Sequence, residues 1–312
     1  MLSRRNVRVK VMQVLYAQNR DVSLDKKTTL IEYVKKIEDS FDLLLFSIYN
    51  LINIAKIATK DFEKRKAKHL PTELDKHFQP KLWSNPMIQA MMTNKLVITK
   101  FEKKGFAQKV DKDHFTKIYY EFAKEEAYSE WLRKDSTNDE NLEMLLELFR
   151  FCRKNELFNE IIEDQFANWE DDKSLIIGTI KKVLKELPAD DPRFIMAHFP
   201  DEETSKDYGE FLLSKTIDND DMLLKMIEPV LKNWDAERVA ILDMIMLKMA
   251  ICELLYCPTI PTKVTLNEYV ELAKSYSTSK SKEFINGILD RLLQELISKD
   301  LIRKEGRGLI EE

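Results

Sequence analysis

Three side chains near the N-terminus have the types and spacing needed to bind a nucleic acid. Arg5, Arg8 and Tyr16 fall on one face of a helix that turns about 100° per residue. Guanidinium groups bind phosphate oxygens, and a tyrosine ring can stack on an unpaired base. Residues 1–20 contain five Arg or Lys and no acid. This face therefore predicts contact with nucleic acid, whereas the simpler alternative is a solvated cationic flank beside an apolar stripe.

The sequence contains no arrangement of residues that is typical of an enzyme. It has no glycine-rich phosphate loop, no GxSxG and no HExxH. The four histidines have no partner at metal-ligand spacing, and the carboxylates fall on solvated helix faces. We therefore predict a protein without catalytic activity, without a cofactor and without a metal.

The elements that must position the basic face are helices. Only 6 of the 312 residues are Gly and 9 are Pro, which favours helix over strand. Apolar residues recur at helical spacing in 3–19, 34–52 and 284–296, and 236–256 is apolar on most faces, as in a central buried helix. The sequence thus predicts an all-α fold. The net charge of −4 excludes a protein that is basic throughout, but not a local basic patch.

Cysteine usage and hydropathy favour a cytoplasmic protein. The three cysteines have no CxxC spacing and are odd in number, which predicts reduced thiols. No apolar run is long enough to span a bilayer, so we expect no membrane association. The basic N-terminus could also be an organellar presequence, but it has a single serine and continues into a helix.

A second informative stretch, residues 260–293, predicts two helices joined by a loop at 275–280. Thr265 and Glu268 have the spacing of a capping box, in which the Thr265 hydroxyl accepts from the Glu268 amide and the Glu268 carboxylate from the Thr265 amide. In the second helix Gly287 costs about 1 kcal/mol relative to alanine. We therefore predict that another helix packs closely against Gly287, so that Gly287→Leu would overpack the fold.

Three ordered blocks of the sequence resemble the NusB transcription-antitermination family. They are RRNVRVKVMQVLY at 4–16, ICELL at 251–255, and PTKVTLNEYVELAK at 261–274 followed by SKEFINGILD at 281–290. The resemblance covers residues 3–20 and 207–297, and it implies a NusB-like helical bundle of two small subdomains. The sequence departs from the family pattern at Lys280, where an acid is frequent, and at Ser277, where glycine is usual.

The resemblance implies an RNA-binding function. Such a protein binds boxA-type RNA of nascent ribosomal transcripts together with NusE, a small-subunit ribosomal protein, and helps the RNA polymerase elongation complex resist termination. The RNA-facing residues that it implies are Arg4, Arg5, Arg8, Tyr16, Asp243, Lys263, Asn267, Phe284 and Asn286. For four of them a structural role is the alternative: Asp243 as an ion-pair partner, Asn267 as a helix cap, Phe284 as core and Lys263 as a solvated side chain.

The family core does not account for the whole chain. We predict an N-terminal RNA-binding helix at 1–20, a large helical insertion at 21–206 and a helical core at 207–312 that carries the two signature helices. One alternative function is a protein-interaction scaffold that no longer binds RNA and recruits partners through the insertion. Another is an accessory module of the RNA-methyltransferase type, which the lack of a glycine-rich cofactor loop disfavours.

Overall fold

The computed structural model describes residues 1–21, 23–231 and 239–309, with only the backbone of Leu74. These residues form fifteen α-helices and no strand, which confirms the predicted all-α fold. The helices are α1 (Arg4–Arg20), α2 (Lys26–Lys66), α3 (Glu73–His77), α4 (Pro86–Thr93), α5 (Lys95–Lys103), α6 (Lys112–Phe122), α7 (Glu126–Leu132), α8 (Asn138–Cys152), α9 (Glu156–Glu163), α10 (Trp169–Glu186), α11 (Phe211–Asp218), α12 (Asp220–Ile227), α13 (Ile241–Tyr256), α14 (Thr262–Tyr276) and α15 (Ser281–Ser298).

The helices belong to two compact units. The central unit comprises Met1 and Glu38–Phe199, and the terminal unit comprises Leu2–Ile37 and Pro200–Glu312. Helix α2 contributes residues 26–37 to the terminal unit and its remaining length to the central unit. The predicted three-part division at 20/21 and 206/207 remains a proposal.

Within the central unit, α2 contributes a large part of the core, together with residues of the helices that follow it. The side chains of Phe41, Leu44, Ile48 and Leu51 are buried at the helical spacing that the sequence predicts. Among the described helices, α2 is long and apolar enough to cross a membrane. This differs from the prediction that no apolar run has sufficient length. However, 78% of its most apolar 18-residue stretch is buried inside the protein. The core helix of a water-soluble protein can have the same length and apolar composition.

Helix α13 is the centre of the terminal unit, and α1, α11, α12, α14 and α15 all pack on it. Nearly all of its side chains between Ile245 and Leu254 are buried, as predicted for a central helix. Its predicted first residues, 236–238, lie outside the described part of the chain. The buried face of α13 therefore determines where the N-terminal basic helix and the two signature helices are placed.

A π-helical turn at Glu203–Glu210 packs directly against α1. A Cβ atom on Gly209 would lie 1.8 Å from the Tyr33 hydroxyl oxygen and 2.6 Å from a Val7 methyl carbon. Such distances are far shorter than van der Waals contact, so this close approach requires glycine. The turn therefore lies close enough to α1 for its side chains to reach the arginines.

Candidate nucleic-acid interface

A buried ion pair joins α1 to α13. Arg8 is 2% exposed and Glu253 is 0% exposed. The Nε and Nη2 atoms of Arg8 donate to the two carboxylate oxygens of Glu253 at 2.8 and 2.7 Å. The hydroxyls of Tyr208 and Thr265 donate to the same carboxylate at 2.6 and 2.8 Å. One carboxylate therefore holds α1, the π-helical turn and α14 against α13.

The ionisation of this cluster is set by its own hydrogen bonds. Burial alone would raise the pKa of Glu253, but the hydrogen bonds and positive charge of Arg8 lower it below its ordinary value. Burial likewise opposes the charge of Arg8, yet the bonds to Glu253 raise the pKa of Arg8 above its ordinary value. Burial, followed by the negative charge of Glu253, raises the pKa of Tyr208. The cluster therefore holds the charged pair Arg8–Glu253 and neutral hydroxyls, and Glu268 is a second carboxylate partner of Arg8 at 3.3 Å.

These contacts correct the sequence prediction for Arg8. We predicted that Arg8 lies beside Arg5 and Tyr16 on an exposed face, but the π-helical turn and α14 cover its guanidinium group. Helical periodicity gives the direction of a side chain but not what packs over it. Arg8 therefore anchors α1, and its burial excludes it from the predicted RNA-facing residues.

The predicted capping box is also wrong. Helix α14 begins at Thr262, and Pro261 precedes it without a side-chain cap. The Thr265 hydroxyl donates to Glu253, while the Glu268 carboxylate accepts from Nε and Nη2 of Arg5 at 2.9 and 2.6 Å. Both side chains thus have partners on other helices. Because α14 begins earlier, Asn267 lies beyond its first turn, and its exposed side chain is not beside free backbone amides.

An open cleft of about 710 Å³ lies where α1 and α14 begin. Its lining side chains include five cations and one carboxylate, namely Arg4, Arg5, Arg8, Lys263, Arg307 and Glu268. We call this the basic cleft. Arg5 remains 57% exposed despite its bonds to Glu268, and Arg4 reaches Glu203 at 3.5 Å. Four predicted RNA-facing residues therefore converge on one cleft, and Arg307, which the sequence did not indicate, joins them.

Three other predicted residues lie outside the basic cleft. Tyr16 is 39% exposed on α1, so its ring is available to stack on a base. Asn267 is exposed on α14. Asn286 is exposed on α15, where its amide donates to Asp290 at 3.3 Å. None of the three lines a cleft that contains another predicted residue.

A second cleft, of about 650 Å³, brings together Asp243 and Phe284 at the start of α15. Asp243 is buried, and its two oxygens accept from the hydroxyls of Ser277 and Ser281 at 2.6 and 2.7 Å. Ser277, which stands where glycine is usual in the family, thus supplies one of these hydroxyls. Asp243 therefore fixes the loop between α14 and α15, and its predicted contact with RNA remains a proposal.

Gly287 lines this second cleft, which overturns the prediction that a helix packs against it. A Cβ atom at Gly287 would meet nothing within 4 Å. We therefore expect Gly287→Ala to raise the free energy of unfolding by about 0.5–1 kcal/mol, the gain of alanine over glycine inside a helix. Gly209→Ala, the matched control, should lower it because its Cβ would strike Tyr33. Thermal unfolding checks both, and a lower melting temperature for Gly287→Ala would contradict this assignment.

The match to a protein family covers α11 to α14 and most of α15, and it begins well after α1. Residues 173–294 match the model of the NusB family. The chain is similar to transcription antitermination proteins NusB of Chloroherpeton thalassium (40% identical over 107 residues), Salinibacter ruber (36% over 110) and Thermodesulfovibrio yellowstonii (44% over 92). These alignments cover 34%, 35% and 30% of this chain and 51%, 69% and 61% of the relatives. For two of the three relatives, less than two thirds of the length is covered. No solved structure matches the chain.

Proposed function

Since the chain belongs to the NusB family of transcription antitermination proteins, we propose that it binds boxA-type single-stranded RNA of nascent ribosomal transcripts. In this proposal it binds together with the small-subunit ribosomal protein NusE and helps the RNA polymerase elongation complex to resist termination. The protein would act in the cytoplasm, without catalysis. The buried, unpaired state of its three cysteines suits a reducing compartment.

The observation that carries this proposal is the basic cleft. Arg4 and Arg5 come from the N-terminal helix and Lys263 from the signature helix, more than 250 residues later. Arginine and lysine groups that converge on an open concave surface match a flexible chain of phosphates. Tyr16 lies exposed on the same helix as Arg4 and Arg5, where stacking on a base would complement the phosphate contacts.

The remaining predicted residues have distinct roles in this proposal. Asn267, Phe284 and Asn286 would contact bases or sugars along α14 and α15, and Asp243 would hold the loop beside them. The segment 21–206 would be a helical insertion into a core formed by 1–20 and 207–312. Residues 41–195 of this segment share one buried aromatic and aliphatic core, and the contribution of the segment to partner binding is open to experiment.

RNA affinity tests this function directly. The purified chain should bind a boxA-type strand more tightly than a scrambled strand of equal composition, and NusE should increase that preference. Each phosphate contact on a single strand contributes about −0.7 to the slope of log K against log salt concentration. Three contacts, by Arg4, Arg5 and Lys263, therefore predict a slope of about −2. Equal affinity for the two strands would contradict the proposal. Binding of NusE without RNA would instead support the protein-interaction scaffold.

A further inference from the structure

The C-terminal segment 303–309 is anchored to the loop that precedes α14. The Nζ atom of Lys304 donates to the carbonyl oxygens of Cys257 at 3.0 Å and Glu253 at 3.4 Å. The backbone amide of Glu305 donates to the carbonyl of Pro258 at 3.0 Å. The segment therefore has a defined path along the loop and does not simply trail from α15.

Two glycines allow this path. Gly306 has a left-handed backbone with φ of +54°, a conformation that L side chains rarely adopt. At Gly308 a Cβ atom would lie 1.9 Å from the carbonyl oxygen of Pro258, so any larger residue would push the segment away. Arg307 stands between these two glycines, and its side chain lines the basic cleft.

Among the described residues, Arg307 differs from the other arginines of the cleft in having no competing partner. Arg4 pairs with Glu203, Arg5 with Glu268 and Arg8 with Glu253. Arg307 is exposed and makes no ion pair or hydrogen bond through its side chain within the described residues. A phosphate that binds Arg5 must share it with a carboxylate, whereas one that binds Arg307 displaces only water.

We propose that Arg307 is a phosphate-binding residue of the RNA surface, delivered to the basic cleft by the C-terminal segment. This rests on the proposed RNA binding. It extends that function to residues beyond 294, where the match to the family model ends. The RNA-binding surface of this chain would then have three parts: the start of α1, the start of α14 and the turn at 306–308 that carries Arg307.

The test compares Arg307→Gln with Arg303→Gln in the full-length chain. Arg303 is exposed in the same segment but does not line the cleft. Each variant therefore removes one positive charge from the segment, and only Arg307→Gln removes it from the cleft. Arg307→Gln should weaken binding of a boxA-type strand about 10-fold, since it removes a charge-assisted hydrogen bond. It should also reduce the salt slope by about 0.7. Arg303→Gln should leave both values near those of the wild type, and Arg307→Lys should retain most of the affinity.

Two results would overturn this inference while leaving the proposed function intact. One is RNA binding by Arg307→Gln that equals the wild type. The other is an equal loss in both glutamine variants, which would show that only the general charge of the segment matters. If the wild-type chain itself binds no RNA, the proposed function fails first, and this inference fails with it.

Discussion

Replacing Arg8 by methionine should lower the free energy of unfolding by about 3–5 kcal/mol, the usual cost of leaving one member of a buried ion pair without its counter-ion. Among the described residues, the Glu253 carboxylate would keep as side-chain donors only the hydroxyls of Tyr208, Thr265 and, at 3.4 Å, Tyr269. Urea denaturation followed by circular dichroism measures the effect.

Arg5→Met is the matched control, because Arg5 also forms a two-bond pair with a glutamate but is largely exposed. Exposed pairs contribute only about 0–1 kcal/mol. The double variant Arg8→Met with Glu253→Leu removes both charges and should recover much of the lost stability. Equal, small effects of Arg8→Met and Arg5→Met would contradict the anchoring role of Arg8.

The same ion pair gives a direction for the dependence of stability on pH. The pKa of Glu253 is lowered in the folded protein from its ordinary value of 4.5. Its contribution to stability is therefore complete above about pH 4.5, and it is lost as the pH falls through the lower folded-state pKa. Arg8→Met should weaken this loss of stability at acid pH.

Replacing Arg4 and Arg5 together by glutamine should reduce affinity for a boxA-type strand by at least about 100-fold, since two charge-assisted hydrogen bonds of about 1.5–3 kcal/mol each are removed. Both side chains are exposed at the mouth of the basic cleft, so helicity should be unchanged. Affinity is measured by titration of labelled RNA at fixed salt.

The control for this experiment is Lys282→Gln with Arg303→Gln. Both residues are exposed in the terminal unit and lie outside the two clefts, so the charge change is the same but the location differs. An equal loss of affinity in the two double variants would mean that net charge, and not the basic cleft, determines RNA binding.

Periodicity predicted the helices well because local spacing determines them. Helix α1 was expected over 3–19 and occupies 4–20. What packs over a helix is not local, and here the sequence failed. Arg8 and Arg5 are both arginines of α1, yet Arg8 is buried by α14 and the π-helical turn while Arg5 is exposed. The only sequence signal for this was Glu253, a carboxylate within an apolar helix, which predicts a buried cation as partner.

The other corrections have the same origin. Thr265 and Glu268 have ideal spacing for a capping box, but the Thr265 hydroxyl bonds to α13 and the Glu268 carboxylate bonds to α1. Gly287 suggested a close helix contact, and its surroundings are open. Arg307 belongs to no motif, and only the fold-back of residues 303–309 brings it to the basic cleft. Contacts between residues far apart in sequence determined each of these outcomes.

Photo-crosslinking of a 4-thiouridine-substituted boxA-type strand to the full chain, followed by mass spectrometry of the linked peptides, tests the RNA surface most directly. Crosslinks should map to α1, including Tyr16, to residues 259–268 and to segment 303–309. Crosslinks confined to the central unit, residues 38–199, would contradict the assignment of RNA binding to the basic cleft.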